Sequence, residues 1–92
     1  MTVIFTAVVN GRIIRLTLKQ CKHIAYRHPE MVNKIVKIEE TLIYPEYKIE
    51  KNKVNKYYKY IKEENNYIMV AFKILNGDGF VLTSYITRKI QK

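Results

Sequence analysis

The sequence predicts an α+β domain in which two helices pack on one face of a mainly antiparallel sheet, in the order ββααββββ. Three observations carry this expectation. Apolar residues alternate with period two at both ends of the chain, and turn dipeptides punctuate those runs. The middle of the chain instead carries a helical apolar period with cap signals at its ends. Strands in runs and helices in a run make an α+β class. At 92 residues, 48% of them hydrophobic, the chain is expected to form one domain (residues 1–92) around one core.

Val3–Val9 and Arg12–Leu16 are β-rich runs separated by Asn10-Gly11, a strong hairpin signal. A two-residue turn pairs Phe5 with Leu16 and Ala7 with Ile14 on one face. Thr17 followed by Gln20 is a capping-box start for the first helix. Pro29 interrupts that helix, because it lacks a backbone donor and pushes His28 out of helical geometry. Its fixed φ suits the first position of a second helix, Pro29–Ile43, with Glu30 at the positive end of the dipole. The two helices are expected to meet at His28. Met31, Ile35, Ile38 and Leu42 form the apolar stripe of the second helix, opposite Asn33, Lys34, Lys37 and Glu40. Pro45 ends it.

Tyr47–Glu50 and Tyr57–Ile61 read as short strands joined by a loop around Lys51–Asn55. Glu63–Asn66 is a polar turn. Tyr67–Leu75 is a strand whose even positions, Ile68, Val70, Phe72 and Ile74, face the core, leaving Lys73 on the other face. Asn76–Gly79 is a turn. In the last strand, Phe80–Thr87, the core side is assigned to Phe80, Leu82 and Ile86, with Thr83, Tyr85 and Thr87 opposite. Those faces agree only if paired residue numbers sum to an even value, which requires a loop of three or five residues. Arg88–Lys92 is a basic tail. The helices cover one sheet face and leave the other concave and polar.

The net charge of +9 favours polyanionic partners, nucleic acid above an anionic membrane. No apolar run approaches the ~20 residues of a membrane span. Met1–Val9 has neither the basic start nor the cleavage site of a signal peptide. Cys21 is the single cysteine, so no intrachain disulfide is expected and a reducing cytoplasm is the natural location. It lies on the apolar side of its helix as a small buried thiol. No metal site or cofactor is expected: there is no cysteine pair, and His23 and His28, five apart, fall on different helix faces.

On the helical wheel Leu18, Cys21, Ile24, Ala25 and His28 share one side, and Gln20, His23 and Arg27 share the other. A proton-transfer group beside a permanent cation suits a phosphodiester; the competing reading is a solvated polar face. His28 stands where capping or packing competes with reactivity. Between Glu46 and Lys62, lysines 48, 51, 53, 56, 59 and 62 alternate with Tyr47, Tyr57, Tyr58 and Tyr60. Such a ribbon suits lysines on phosphates and tyrosines stacked on bases; the competing reading is an edge hairpin protected by its lysines.

These residues, in their order and spacing, resemble a family. Leu16-Thr17, His23-Ile24, Arg27-His28-Pro29-Glu30, Glu40-Thr41-Leu42, Pro45-Glu46, Tyr57-Tyr58, the apolar strand ending in Lys73, and Phe80–Thr87 are similar to the phage and mobile-element nuclease-like proteins grouped with barnase, EndoU, the tRNA-cleaving colicins and RelE. The resemblance runs from Leu16 onward; Ser84 stands where such proteins often have alanine. It implies a RelE/barnase-like fold and a metal-independent endoribonuclease, with His23, Arg27, Lys73, Thr83 and Tyr85 as the catalytic group. Lys48, Lys51, Lys53, Lys56, Tyr57, Tyr58, Lys59, Arg88 and Lys89 are the expected RNA-binding residues. A toxin-like enzyme restrained by an acidic protein inhibitor is the first functional expectation. A non-catalytic nucleic-acid-binding module is the second, and a viral or mobile-element assembly or inhibitor protein the third.

Overall fold

The computed structural model describes residues 1–90, so the last two residues of the basic tail lie outside the described residues. It is an α+β structure with two helices and one six-stranded sheet. Strands β1 (Val3–Val9) and β2 (Arg12–Thr17) form the first hairpin. Asn10 and Gly11 both adopt positive φ, 53° and 77°, as a two-residue turn matched to strand twist requires. Phe5 pairs with Leu16 and Ala7 with Ile14, as the alternation predicts. Strands β3 (Tyr47–Lys51), β4 (Val54–Ile61), β5 (Asn66–Leu75) and β6 (Asp78–Thr87) form an antiparallel meander.

The hairpin and the meander join through a short parallel contact, Ile13–Arg15 against Asp78–Phe80, giving the order β1-β2-β6-β5-β4-β3. The sheet is therefore mixed. The β3–β4 hairpin differs from expectation: Asn52 and Lys53, at φ 54° and 65°, make a tight turn where a longer loop was expected. Both strands of that hairpin are accordingly longer.

Helix α1 (Leu18–Arg27) starts where its cap signal lies: the Thr17 hydroxyl accepts a bond from the Gln20 amide at 3.2 Å. Thr17→Ala is expected to cost about 1 kcal/mol, read as a lower denaturant midpoint with unchanged slope. The second helix does not begin at Pro29. Pro29–Met31 is one 3-10 turn, and α2 spans Ile35–Ile43. Val32 N–H donates to Pro29 and Lys34 N–H to Met31, the tighter i to i+3 pattern of a helix that does not propagate. Valine and asparagine at positions 32 and 33 are weak helix formers. The apolar stripe survives the break: Met31, Ile38 and Leu42 are buried with Ile35 packed beside them.

The main core lies between the helices and one sheet face and contains Ile14, Leu16, Ile24, Ile68, Val70 and Phe72. The last hairpin departs from the expected register. Its loop has two residues, Asn76-Gly77, so Leu75 pairs with Asp78 and Lys73 with Phe80. The sum is odd, and Val81, not Phe80 or Leu82, enters the core beside Phe72. A bulge between Ala71 and Phe72 then absorbs one residue, so Ala71 pairs with Thr83 and Ile68 with Ile86. A bulge inserts one unpaired residue and restores face agreement. Thr83, Tyr85 and Thr87 therefore do lie on the same face as Lys73.

Candidate nucleic-acid interface

The face away from the helices is not the polar concavity the sequence suggests. Tyr58, Met69 and Ala71 are buried there, with Ile49, Leu82 and Tyr85 packed against them. Strand pairing orders this face in rows. Arg15, Phe80, Lys73, Val54 and Lys51 form one row. Thr83, Ala71, Lys56 and Ile49 form the next, then Tyr85, Met69, Tyr58 and Tyr47. Thr87, Tyr67 and Tyr60 close the series. Among the described strand residues directed to this face, Asp78 carries the only carboxylate, and Arg15 engages it at 3.0 Å. Lys51, Lys56 and Lys73 leave the face positive, with Phe80 and Tyr60 exposed between and beyond them.

Helix α1 stands where the next strand would be. Beyond Phe80 the parallel pairing with β2 ends, leaving the edge of β6 free, and α1 runs along it. Gln20 donates its side-chain amide to the Leu82 carbonyl, filling one unpaired acceptor of that edge. Eight residues later the His28 ring packs on Tyr85, centroids 5.1 Å apart. On a helix of 100° per residue, Ile24 lies ~40° to one side of Gln20 and His23 ~60° to the other, with Arg27 ~20° off. Ile24 is buried in the main core. On the wheel His23 therefore lies on the other side of Gln20 from the buried Ile24, with Arg27 between. Both are exposed.

Of the expected residues, Tyr85 meets the end of this helix through His28, and Thr83 follows Leu82, whose carbonyl accepts the Gln20 bond. Lys73 shares their face but is four residues along β5 from Met69, the partner of Tyr85. At ~3.3 Å per residue that is ~13 Å along the strand, whereas Ala71, the partner of Thr83, is two residues from Lys73, or ~7 Å, so Lys73 neighbours Thr83 more closely than Tyr85. Strand pairing brings Lys73, Thr83 and Tyr85 onto one face, and His23 and Arg27 stand exposed on α1.

The binding ribbon divides. Lys51 and Lys56 face the open side, Lys53 sits in the tight turn, and Arg88 and Lys89 are exposed after β6. Lys48 and Lys59 belong to the other face: Lys48 Nζ lies 5.5 Å from the Tyr57 ring, and Lys59 donates to the Tyr44 carbonyl at 3.0 Å. Tyr57 and Tyr58 do not offer stacking surfaces. Tyr57 is a core residue, edge-on to Phe72 at 4.8 Å, and Tyr58 is 1% exposed. Alternation put them on opposite faces, and both faces are covered at that point.

His28 is the residue that sequence reasoning left undecided. It caps α1, its backbone N–H bonding to Ile24, while its ring reaches Tyr85 and its Nδ1 lies 4.0 Å from Glu30. Its one sequence signal was its place before Pro29. Burial pushes the Tyr85 phenol above its usual pKa, and neighbouring Tyr58 adds to this. Tyr85 therefore stays protonated at neutral pH and keeps its O–H for donation. Cys21 is half-buried and unbridged. Among the described residues no three His, Cys, Asp or Glu side chains converge as metal ligands. No described helix is long and apolar enough to cross a membrane.

Comparison of the chain with protein-family models, with curated proteins and with solved structures gave no match.

Proposed function

We propose that the protein is a metal-independent endoribonuclease that holds RNA on the open sheet face and cleaves it at the α1 edge. The observation that carries this reading is the packing of α1 along β6, from Gln20 on Leu82 to His28 on Tyr85. It packs His28 on Tyr85 and sets the helix that carries His23 and Arg27 beside the strand that carries Thr83 and Tyr85, next to a positive face. Cleavage without metal needs a base for the 2′-hydroxyl, an acid for the leaving 5′-oxygen and cations about the phosphorane. His23 takes the 2′-hydroxyl proton and Arg27 holds the non-bridging oxygens through its fork. Thr83 and Tyr85 donate hydrogen bonds. His28, held on Tyr85, supplies the second proton-transfer group. Lys73 serves a flanking phosphate, and Lys51 and Lys56 continue the path across the sheet.

In this reading the enzyme works in the cytoplasm, and an acidic protein covering the same face would restrain it as an antitoxin restrains a toxin. The resemblance of the Arg27–Glu30 and Phe80–Thr87 segments to the barnase, EndoU, colicin and RelE group supports it. The test is incubation with mixed cellular RNA in excess EDTA and mapping of new ends. Discrete new ends support the enzyme; intact RNA that nonetheless binds points to the binding module. Affinity is expected to fall steeply with salt through counterion release, and Lys73→Ala to reduce the slope of log K against log salt by about 0.7. Filter binding at several salt concentrations reads this directly.

A further inference from the structure

The two edges of the sheet are built differently. β3, at one end of the strand order, carries Lys48, Glu50 and Lys51, charges of the kind that keep sheet edges apart. β1, at the other end, reads Val-Ile-Phe-Thr-Ala-Val-Val without a charge or a proline. Val3, Ile4 and Val8 on it are 41%, 37% and 66% exposed. A bulge at Ile4 leaves Phe5–Val9 as the regular edge.

We propose that β1 pairs antiparallel with β1 of a second copy, continuing the two sheets into one across a twofold axis at Thr6. The outward backbone groups admit pairing of Thr6 with Thr6, Thr6 with Val8 or Val8 with Val8, and the longest overlap without a polar-to-apolar mismatch is the first. Across a two-residue hairpin, Val9 and Arg12 form a hydrogen-bonded pair, and such pairs alternate along the strands. The amides and carbonyls of Ala7 and Phe5 therefore point to β2, and those of Thr6 and Val8 point outward. An outward pair must match outward residues, and Thr6 against Thr6 does so. Phe5 then meets Ala7 of the second copy on the helix side, and Val8 is carried over the second copy's Val3–Ile4. Apolar residues oppose apolar ones throughout, and the one polar side chain meets itself at the axis, as an isologous interface requires. A charged or apolar-to-polar mismatch would argue for a different partner, and none arises.

Two copies of charge +9 repel each other, and salt screens that repulsion. The dimer fraction is therefore expected to rise with salt, opposite in sign to RNA binding. The experiment is sedimentation and oxidative cross-linking of the full chain in a Cys21→Ser background. Thr6→Cys is expected to cross-link with itself, because a hydrogen-bonded pair at the axis brings Cα atoms to ~5.5 Å, within disulfide range. Val8→Cys, displaced from the axis, is expected not to. Thr6→Lys sets like charges face to face and is expected to return the protein to a monomer with unchanged circular dichroism. A monomer at all salt concentrations overturns the proposal. So does a dimer that Thr6→Lys leaves intact, or equal cross-linking at positions 6 and 8.

Discussion

His23→Ala is expected to lower the rate of RNA cleavage by about 10²–10⁴-fold, the range associated with a positioned proton-transfer group. The side chain is exposed, and α1 keeps both of its anchors, Gln20 on Leu82 and His28 on Tyr85. Stability should therefore change by less than about 0.5 kcal/mol. RNA binding at low salt should persist, since the phosphate-binding face is held by lysines. The measurement is initial rate on one defined RNA, with a melt of the same sample. Equal rates for wild type and variant would remove His23 from the mechanism. His28→Ala serves as the contrast: it also removes a ring packed on Tyr85, so it should lower both rate and melting temperature.

The largest effect on stability is expected at Gly79. This residue is buried where β6 leaves its turn, across from Ile74 and beside Ile14 of the parallel strand. An added Cβ would stand 2.7 Å from Ile14 Cδ1 and 3.3 Å from Ile74 Cα, and closer still to the Lys73 carbonyl oxygen. Backbone on one side and a fully buried isoleucine on the other cannot yield without opening the β2–β6 contact. Gly79→Ala is therefore expected to cost roughly 2–3 kcal/mol, a fall in melting temperature of roughly 10–20 °C for a domain of this size. Gly77→Ala separates the mechanisms. Nothing lies within 4 Å of its added Cβ, but φ is +92°, so only backbone strain of about 1–2 kcal/mol applies. A Gly79→Ala variant as stable as wild type would mean that β6 does not pair with β5 and β2 in this register.

Local signals predicted the parts of this fold that are local in origin. Asn10-Gly11 set the first hairpin to the residue, Thr17 and Gln20 marked the start of α1, and the even positions of β5 marked the core face. What failed depended on distant partners. The parallel β2–β6 contact joins residues more than sixty apart, and no turn or cap announces it. The loop parity at Asn76-Gly77 was resolved by a bulge within the strand rather than by loop length. That is why Val81 replaced Phe80 and Leu82 in the core while Thr83 and Tyr85 kept their expected face. Tyr57 and Tyr58 look alike in a basic ribbon, yet each is covered by a different cluster on its own face. The candidate site was legible as residue types. Its arrangement, with Lys73 nearer to Thr83 than to Tyr85 and His28 drawn onto Tyr85, was not, because it follows from the β6 bulge and from where α1 lies against β6.

The most direct measurement uses a short RNA containing one mapped cleavage linkage, in excess EDTA, with and without a single 2′-deoxy substitution on its 5′ side. Attack by the 2′-hydroxyl predicts a 2′,3′-cyclic phosphate end on the all-ribose strand and no cleavage at the substituted linkage. Cleavage that continues at the deoxy linkage, or RNA left intact by the wild-type protein, would contradict the assignment.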